Sequence, residues 1–325
     1  MNIPSLALAL ATMLLGVVAY AQERQESFPN HSVRIIVPFP PGGPTDILCR
    51  VVAQRMSEIW VQPVVVENQP GANTAIAAAR VAKLPPDGYS LFAVMDVTMV
   101  LNPITSKNLP YDPLKDFAPI TLASKNTSLL SVRAQDGPQT VKELIARAKA
   151  RPGKLNYGAG IITTRLAGYL FNREAGIEAQ YIPFNGSAPT VQGLLTGAVD
   201  YIFDGAATSL PLIQNGQLRA LAKLNSRPLP ALPDVRPLAV EAGLPALDDI
   251  STWIGLVAPA GTPPEIIDKI GRTVVQIYAD PQIADKLERS GISTATSTPA
   301  EFEAFVRKEL VRWGQVFKDS GIELN

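Results

Sequence analysis

The chain has 325 residues, with 29 Lys plus Arg against 29 Asp plus Glu, and it is 46% hydrophobic and 18% charged. That balance excludes an overall basic field for nucleic acid or anionic membrane, and the hydrophobic share excludes a disordered chain. A single cysteine, Cys49, and a single histidine, His31, exclude an internal disulfide and a His/Cys metal site, so no cofactor is expected.

In chain order, residues 1–21 read as a secretory leader. They are apolar from Leu6 to Val18 and end in Ala19-Tyr20-Ala21, a small-x-small cleavage signal, although the n-region lacks Lys and Arg. Cleavage is expected after Ala21, and periplasmic export follows from it. Roughly 300 residues then remain, enough for two domains with cores of their own. Short apolar runs at 33–39, 63–68, 89–95, 155–160, 181–184, 199–204, 218–224 and 253–259 predict strands buried on both faces. Between them, 46–60, 140–150, 164–175, 189–197, 264–279 and 300–317 carry apolar residues at helical spacing. Alternation of strand and helix argues for parallel α/β sheets. Cys49 falls on the first helix as a buried bystander, His31 lies in a flexible-looking start, and Trp253 is expected to pack at a sheet edge.

The order of elements predicts a discontinuous domain, 22–123 with 237–325, and a second domain, 124–236. The tail after Pro237 offers one strand and mostly helices, too little for a sheet of its own. Prolines 228, 230, 233 and 237 stiffen the return crossing.

The most informative stretch is Pro38-Phe39-Pro40-Pro41-Gly42-Gly43-Pro44-Thr45-Asp46, between a strand and a helix. Gly42 and Gly43 let backbone approach a ligand, and Thr45 or Asp46 can cap a helix whose free N–H groups favour a carboxylate or phosphate. No Gly-Lys-Ser/Thr follows, so this is not a nucleotide loop. A second loop, Tyr157-Gly158 to Thr163-Thr164-Arg165, repeats the pattern, and ligands of open α/β sheets collect at such strand ends. Arg165 opposes the dipole of its helix, so a contact to a ligand carboxylate and a merely tolerated surface position are both open. Asn73, Thr98, Phe184, Asn185 and Asp204 end or follow other strands and are further candidates. Asp204 can equally be a helix cap.

These blocks together resemble the periplasmic solute-binding proteins of tripartite tricarboxylate transporters, the Bug or TctC family. The resemblance is carried by PFPPGGPTD, ENQPGAN, PPDGYSLF, LNPITSKNLPYDPLKDFAPI, FNGSAPTVQGLLTGAVDYIFDG, NGQLRALA and WIGLVAPAGTPPEIIDKI. It implies a type II periplasmic-binding-protein fold, two α/β domains with a ligand cleft between them. It also implies a ligand carboxylate held by backbone groups around Gly42 and Gly43, with Phe39, Pro40 and Asp46 close by. The second family contact falls on Tyr157 to Thr164, where this chain departs from the pattern: the loop is shorter, and Arg165 stands where a histidine is usual.

The reading is a monomeric receptor that closes on a small carboxylate and passes it to integral membrane permease subunits. Phe39, Tyr157 and Phe184 can flank a ring and Arg165 can hold a second carboxylate, so aromatic and aliphatic mono- and dicarboxylates are all expected ligands. Two alternatives stand beside it. One is a ligand-dependent partner of a membrane sensor kinase. The other is an enzyme using Asp46 and Asp204 as an acid/base pair, for which no activated nucleophile is present.

Overall fold

The structure is a computed structural model that describes residues 28–247 and 250–320, so the expected leader lies outside the described residues. Two five-stranded sheets organise it. The first holds β1 (Val33–Val37), β2 (Val64–Asn68), β3 (Ser90–Met95), β4 (Phe117–Asn126) and, from far along the chain, β10 (Thr252–Pro259), in the order β2-β1-β3-β10-β4. The second holds β5 (Ser128–Arg133), β6 (Leu155–Ala159), β7 (Ala179–Pro183), β8 (Tyr201–Gly205) and β9 (Leu218–Lys223), in the order β7-β6-β8-β5-β9.

The helices are α1 (Pro44–Trp60), α2 (Ala75–Val81), α3 (Asn102–Thr105), α4 (Val141–Ala150), α5 (Ile162–Ala175), α6 (Ser187–Leu195) and α7 (Ala206–Gln214). After β9 follow α8 (Leu238–Ala242), α9 (Pro264–Tyr278), α10 (Pro281–Arg289) and α11 (Pro299–Ser320). Pro44 begins α1, where its missing N–H costs nothing, and Leu48, Val52 and Met56 turn a buried stripe toward the first sheet. Ile267, Ile270, Val274 and Ile277 do the same for α9. Central strands such as β3 are buried at every position because helices cover both faces.

The two sheets share a plan. Three strands run parallel, and antiparallel strands complete each sheet: β10 against β3 and β4, β5 against β8 and β9. The expectation of parallel sheets holds for those three strands in each sheet and is corrected for the antiparallel members. The antiparallel members come from the crossings, where β4 leaves the first sheet at Asn126 and β5 enters the second at Ser128 after Thr127 alone. Neither strand was among the predicted runs, because Ser, Thr, Asn, Lys and Pro interrupt their apolar residues. β10 returns the chain to the first sheet between β3 and β4, so Trp253 is on an interior strand and not at an edge.

Trp253 is nearly sealed, edge-on to Phe302 of α11 with centroids 5.6 Å apart. Cys49 is buried, and that burial pushes its thiol well above the ordinary range, which suits an inert core residue. His31 is not loose: its ring stacks on Tyr89 at 3.6 Å between centroids.

Phe302 is fully buried and pins α11 to the first sheet. Phe302→Ala is expected to destabilise the protein by about 3–5 kcal/mol, the usual cost of emptying such a site. Urea unfolding of the two proteins measures it.

Candidate ligand-binding cleft

Four helices begin at one place. The residues at the N-cap positions of α1, α5, α6 and α7 are Gly43, Ile161, Gly186 and Gly205, and none caps its helix with a side chain. All four line a single cavity of about 500 Å³, the space at its mouth included. First-turn amides have no acceptor inside their own helix, and each terminus acts as roughly half a positive charge. Four together make a site for an anion. The order of strands and helices brings them there, since each helix starts at the carboxyl end of β1, β6, β7 or β8.

The remaining wall comes from Phe39, Pro40, Thr45 and Met95 on one side, and from Asn126, Ser128 and Thr252 at the strand crossings. A second cavity, of about 360 Å³, adjoins the first through Phe39, Pro40, Ile161 and Gly186 and is closed by Pro70–Thr74, Phe184 and Asn185. No Lys, Arg, His, Asp or Glu lines either cavity among the described residues.

The loops are held from behind. Gly42, at φ +89°, takes a backbone conformation that a side chain would strain, and its N–H donates to Asp46 Oδ2 at 3.0 Å. Asp46 also accepts from Arg50 Nε at 2.9 Å and from Asn68 Nδ2 at 2.9 Å, while Asn68 Nδ2 reaches the Phe39 carbonyl at 3.0 Å. Burial pushes the Asp46 carboxyl up, but its bonds from Arg50, Gly42 and Asn68 more than offset this and hold it below the usual range.

On the other side of the second cavity, Ala72, Asn73 and Thr74 all have positive φ, a costly run for residues with side chains. Asn102 donates to the Asn73 carbonyl at 2.6 Å, Thr98 Oγ1 donates to Thr74 Oγ1 at 3.0 Å, and Tyr111 ties Thr98 from below. Gly160 permits the closest approach of two loops, since a Cβ there would fall 2.3 Å from the Gly186 carbonyl oxygen.

A family model described as "Tripartite tricarboxylate transporter family receptor" matches residues 48–322. This chain belongs to that family. Among relatives of the receptor, the protein BugT of Bordetella pertussis is 30% identical over 331 residues, covering both chains in full. Among solved structures, Rpa4515 of R. palustris with adipate is 34% identical with a TM-score of 0.87, covering 91% of this chain and 99% of that one. MatC of Rhodopseudomonas palustris with bound malate is 32% identical with a TM-score of 0.82, covering 89% and 99%.

Within the receptor, the sequence-predicted residues divide. Phe39, Pro40, Gly43 and Thr164 line the larger cavity, and Asn73, Phe184 and Asn185 the smaller. The rest lie behind or away from the cavities. Neither Thr45 nor Asp46 caps α1: Gly43 holds that position, and Asp46 steadies the Gly42 turn. Thr98 props the strained turn, and Gly158 leaves room for Phe184. Tyr157 points to the opposite face of β6, its ring 5.3 Å from Tyr181 and 5.8 Å from Tyr201. Arg165, one residue past Thr164, is turned about 100° around α5 and lies over the Tyr181 ring at 4.7 Å, beside an outer hollow. Sequence reasoning did not single out Met95, Asn126, Ser128 or Thr252. Buried Ser and Asn inside otherwise apolar runs were the available signal.

Two buried carboxyls stand just behind the cavities. Asp96, between Met95 and Val97, accepts from Thr163 Oγ1 across the gap between the sheets, and burial pushes it up to about 7, with Thr163 opposing and Glu309 adding to the rise. Asp204 accepts from Ser209 Oγ at 3.1 Å and is likewise raised by burial to about 7. Neither lines a cavity, and Asp46 is engaged by Gly42, Arg50 and Asn68 behind the turn.

A raised folded-state pKa means the unfolded chain gives up its proton first. Stability is therefore expected to fall from about pH 4 to about pH 7 and then level. Asp96→Asn should remove its part of that fall, as thermal unfolding across the pH range would reveal. Arg165→Ala should leave carboxylate affinity unchanged by calorimetry, since the cation–π contact it loses, about 0.5–1 kcal/mol at an exposed site, lies outside the cavities.

Proposed function

We propose that the protein is a periplasmic receptor that captures a small carboxylate between its two sheets and presents it to integral membrane permease subunits. The observation that carries this reading is the meeting of four uncapped helix N-termini at one uncharged cavity. α1 belongs to the lobe of the first sheet, and α5, α6 and α7 to that of the second. A carboxylate touching all four binds the closed state better than the open one, and that difference drives closure. The adipate and malate held by the two structural neighbours support the ligand class.

The moving units are the first sheet with its helices and the second sheet with its helices, so the first boundary falls a few residues past the expected 123/124, where β4 ends at Asn126. They turn about Thr127 and the proline-rich return after β9. The role is capture and hand-over, with no turnover of the ligand.

Calorimetric titration of refolded, ligand-free protein with mono-, di- and tricarboxylates and aromatic acids is expected to find at least one that binds and that shrinks the radius of gyration in small-angle scattering. Silence across the whole panel would sink the reading.

A further inference from the structure

The wall of the larger cavity at the crossing between the sheets, beside the start of α7, carries two polar side chains that no group among the described residues meets. Asn126 ends β4 and Ser128 opens β5, on either side of the first crossing between the sheets. Both line the cavity and are 2% and 1% exposed. Neither the Nδ2 and Oδ1 of Asn126 nor the hydroxyl of Ser128 has a hydrogen-bond partner among the described residues. Buried polar atoms are nearly always bonded, and leaving them unmet is costly. The same crossing satisfies its polar groups elsewhere: Thr127 Oγ1, between the two, donates to Asn225 Oδ1 at 3.3 Å.

An amide offers two N–H donors and a carbonyl acceptor, and a hydroxyl can do either. A wall of both donors and acceptors, without any cation, matches a neutral group that donates and accepts better than a second carboxylate, which can take the donors but leaves the Asn126 carbonyl oxygen unmet. Building on the carboxylate-receptor reading, we propose that Asn126 and Ser128 are specificity-determining residues that recognise an uncharged polar group of the ligand, a hydroxyl or primary amide, where it meets the strand crossing. The ligand class is then a monocarboxylate with a neutral hydrogen-bonding tail. Asn126 and Ser128 reject a purely apolar tail because it leaves their atoms unpaired, and a charged tail because nothing on that wall neutralises it.

The test titrates matched four- and five-carbon acids at pH 7.5: butyrate, 4-hydroxybutyrate, succinamate and succinate, then valerate, 5-hydroxyvalerate, glutaramate and glutarate. The hydroxy and amide acids are expected to bind at least about tenfold tighter than either the unsubstituted acid or the diacid, the scale of one unmade hydrogen bond in a buried site. Asn126→Leu and Ser128→Ala should each reduce that preference, read as the ratio of the affinities of one protein for the substituted and unsubstituted acids.

Ligand-free Asn126→Leu should unfold no earlier than the wild type, since leucine removes an unpaired amide; a structural asparagine would behave oppositely. If Asn126→Leu fails to fold, Ser128→Ala carries the comparison. A diacid that binds tightest, or a preference that survives both variants, overturns this proposal and leaves the receptor reading standing. No binding by any acid overturns both.

Discussion

Four helix N-termini facing one cavity without side-chain caps are an electrostatic constraint that the rest of the molecule is built to sustain. Left open to water, each terminus is solvated. Brought together in a dry space, they favour an anion, because most first-turn amides have no acceptor inside their own helix; in α7 the Ala206 N–H meets the Thr127 carbonyl instead. The buried carboxyls nearby are arranged so as not to supply it. Burial holds Asp96 and Asp204 up to about 7, they line neither cavity, and their side chains bond to hydroxyls of the protein. The positive potential of the cavity is thereby kept for a ligand.

Holding the loops in place falls to residues outside the cavity. Asp46, Arg50 and Asn68 form one brace behind the Gly42-Gly43 turn, and Asn102, Tyr111 and Thr98 form another behind the left-handed run Ala72–Thr74. Several residues read from sequence as ligand contacts belong to these braces. A binding site in which backbone groups do the contacting needs its side chains for positioning, and the two roles share the same loops.

That division also explains what was legible beforehand. The strand, proline-glycine turn and helix around Gly42 announce themselves because turn residues and apolar periodicity do not depend on distant partners. So do β3, α1 and α9, whose buried stripes are local patterns. β4 and β5 were hidden for a physical reason: they form the crossing floor of the cavity, and Ser124, Asn126, Thr127, Ser128 and Ser131 break the apolar run by which a buried strand is recognised. For Arg165 the sequence left a ligand contact and a surface position both open. Rotation by one residue carries it from the Thr164 cavity to the Tyr181 ring, a distinction that spacing alone does not make.

An uncharged lining has a further consequence for release. A ligand shifts a conformational equilibrium only by its difference in affinity between the two states, however tightly it binds. An arginine fixed to one lobe would hold the carboxylate almost equally well open or closed and would contribute little to that difference. Under the proposed closure, termini divided between lobes behave otherwise: parting the lobes would withdraw α1 from α5, α6 and α7 and expose all of them to water. The geometry that would make a closed state selective would then make the open state weak, which suits a protein that must both capture a solute and surrender it.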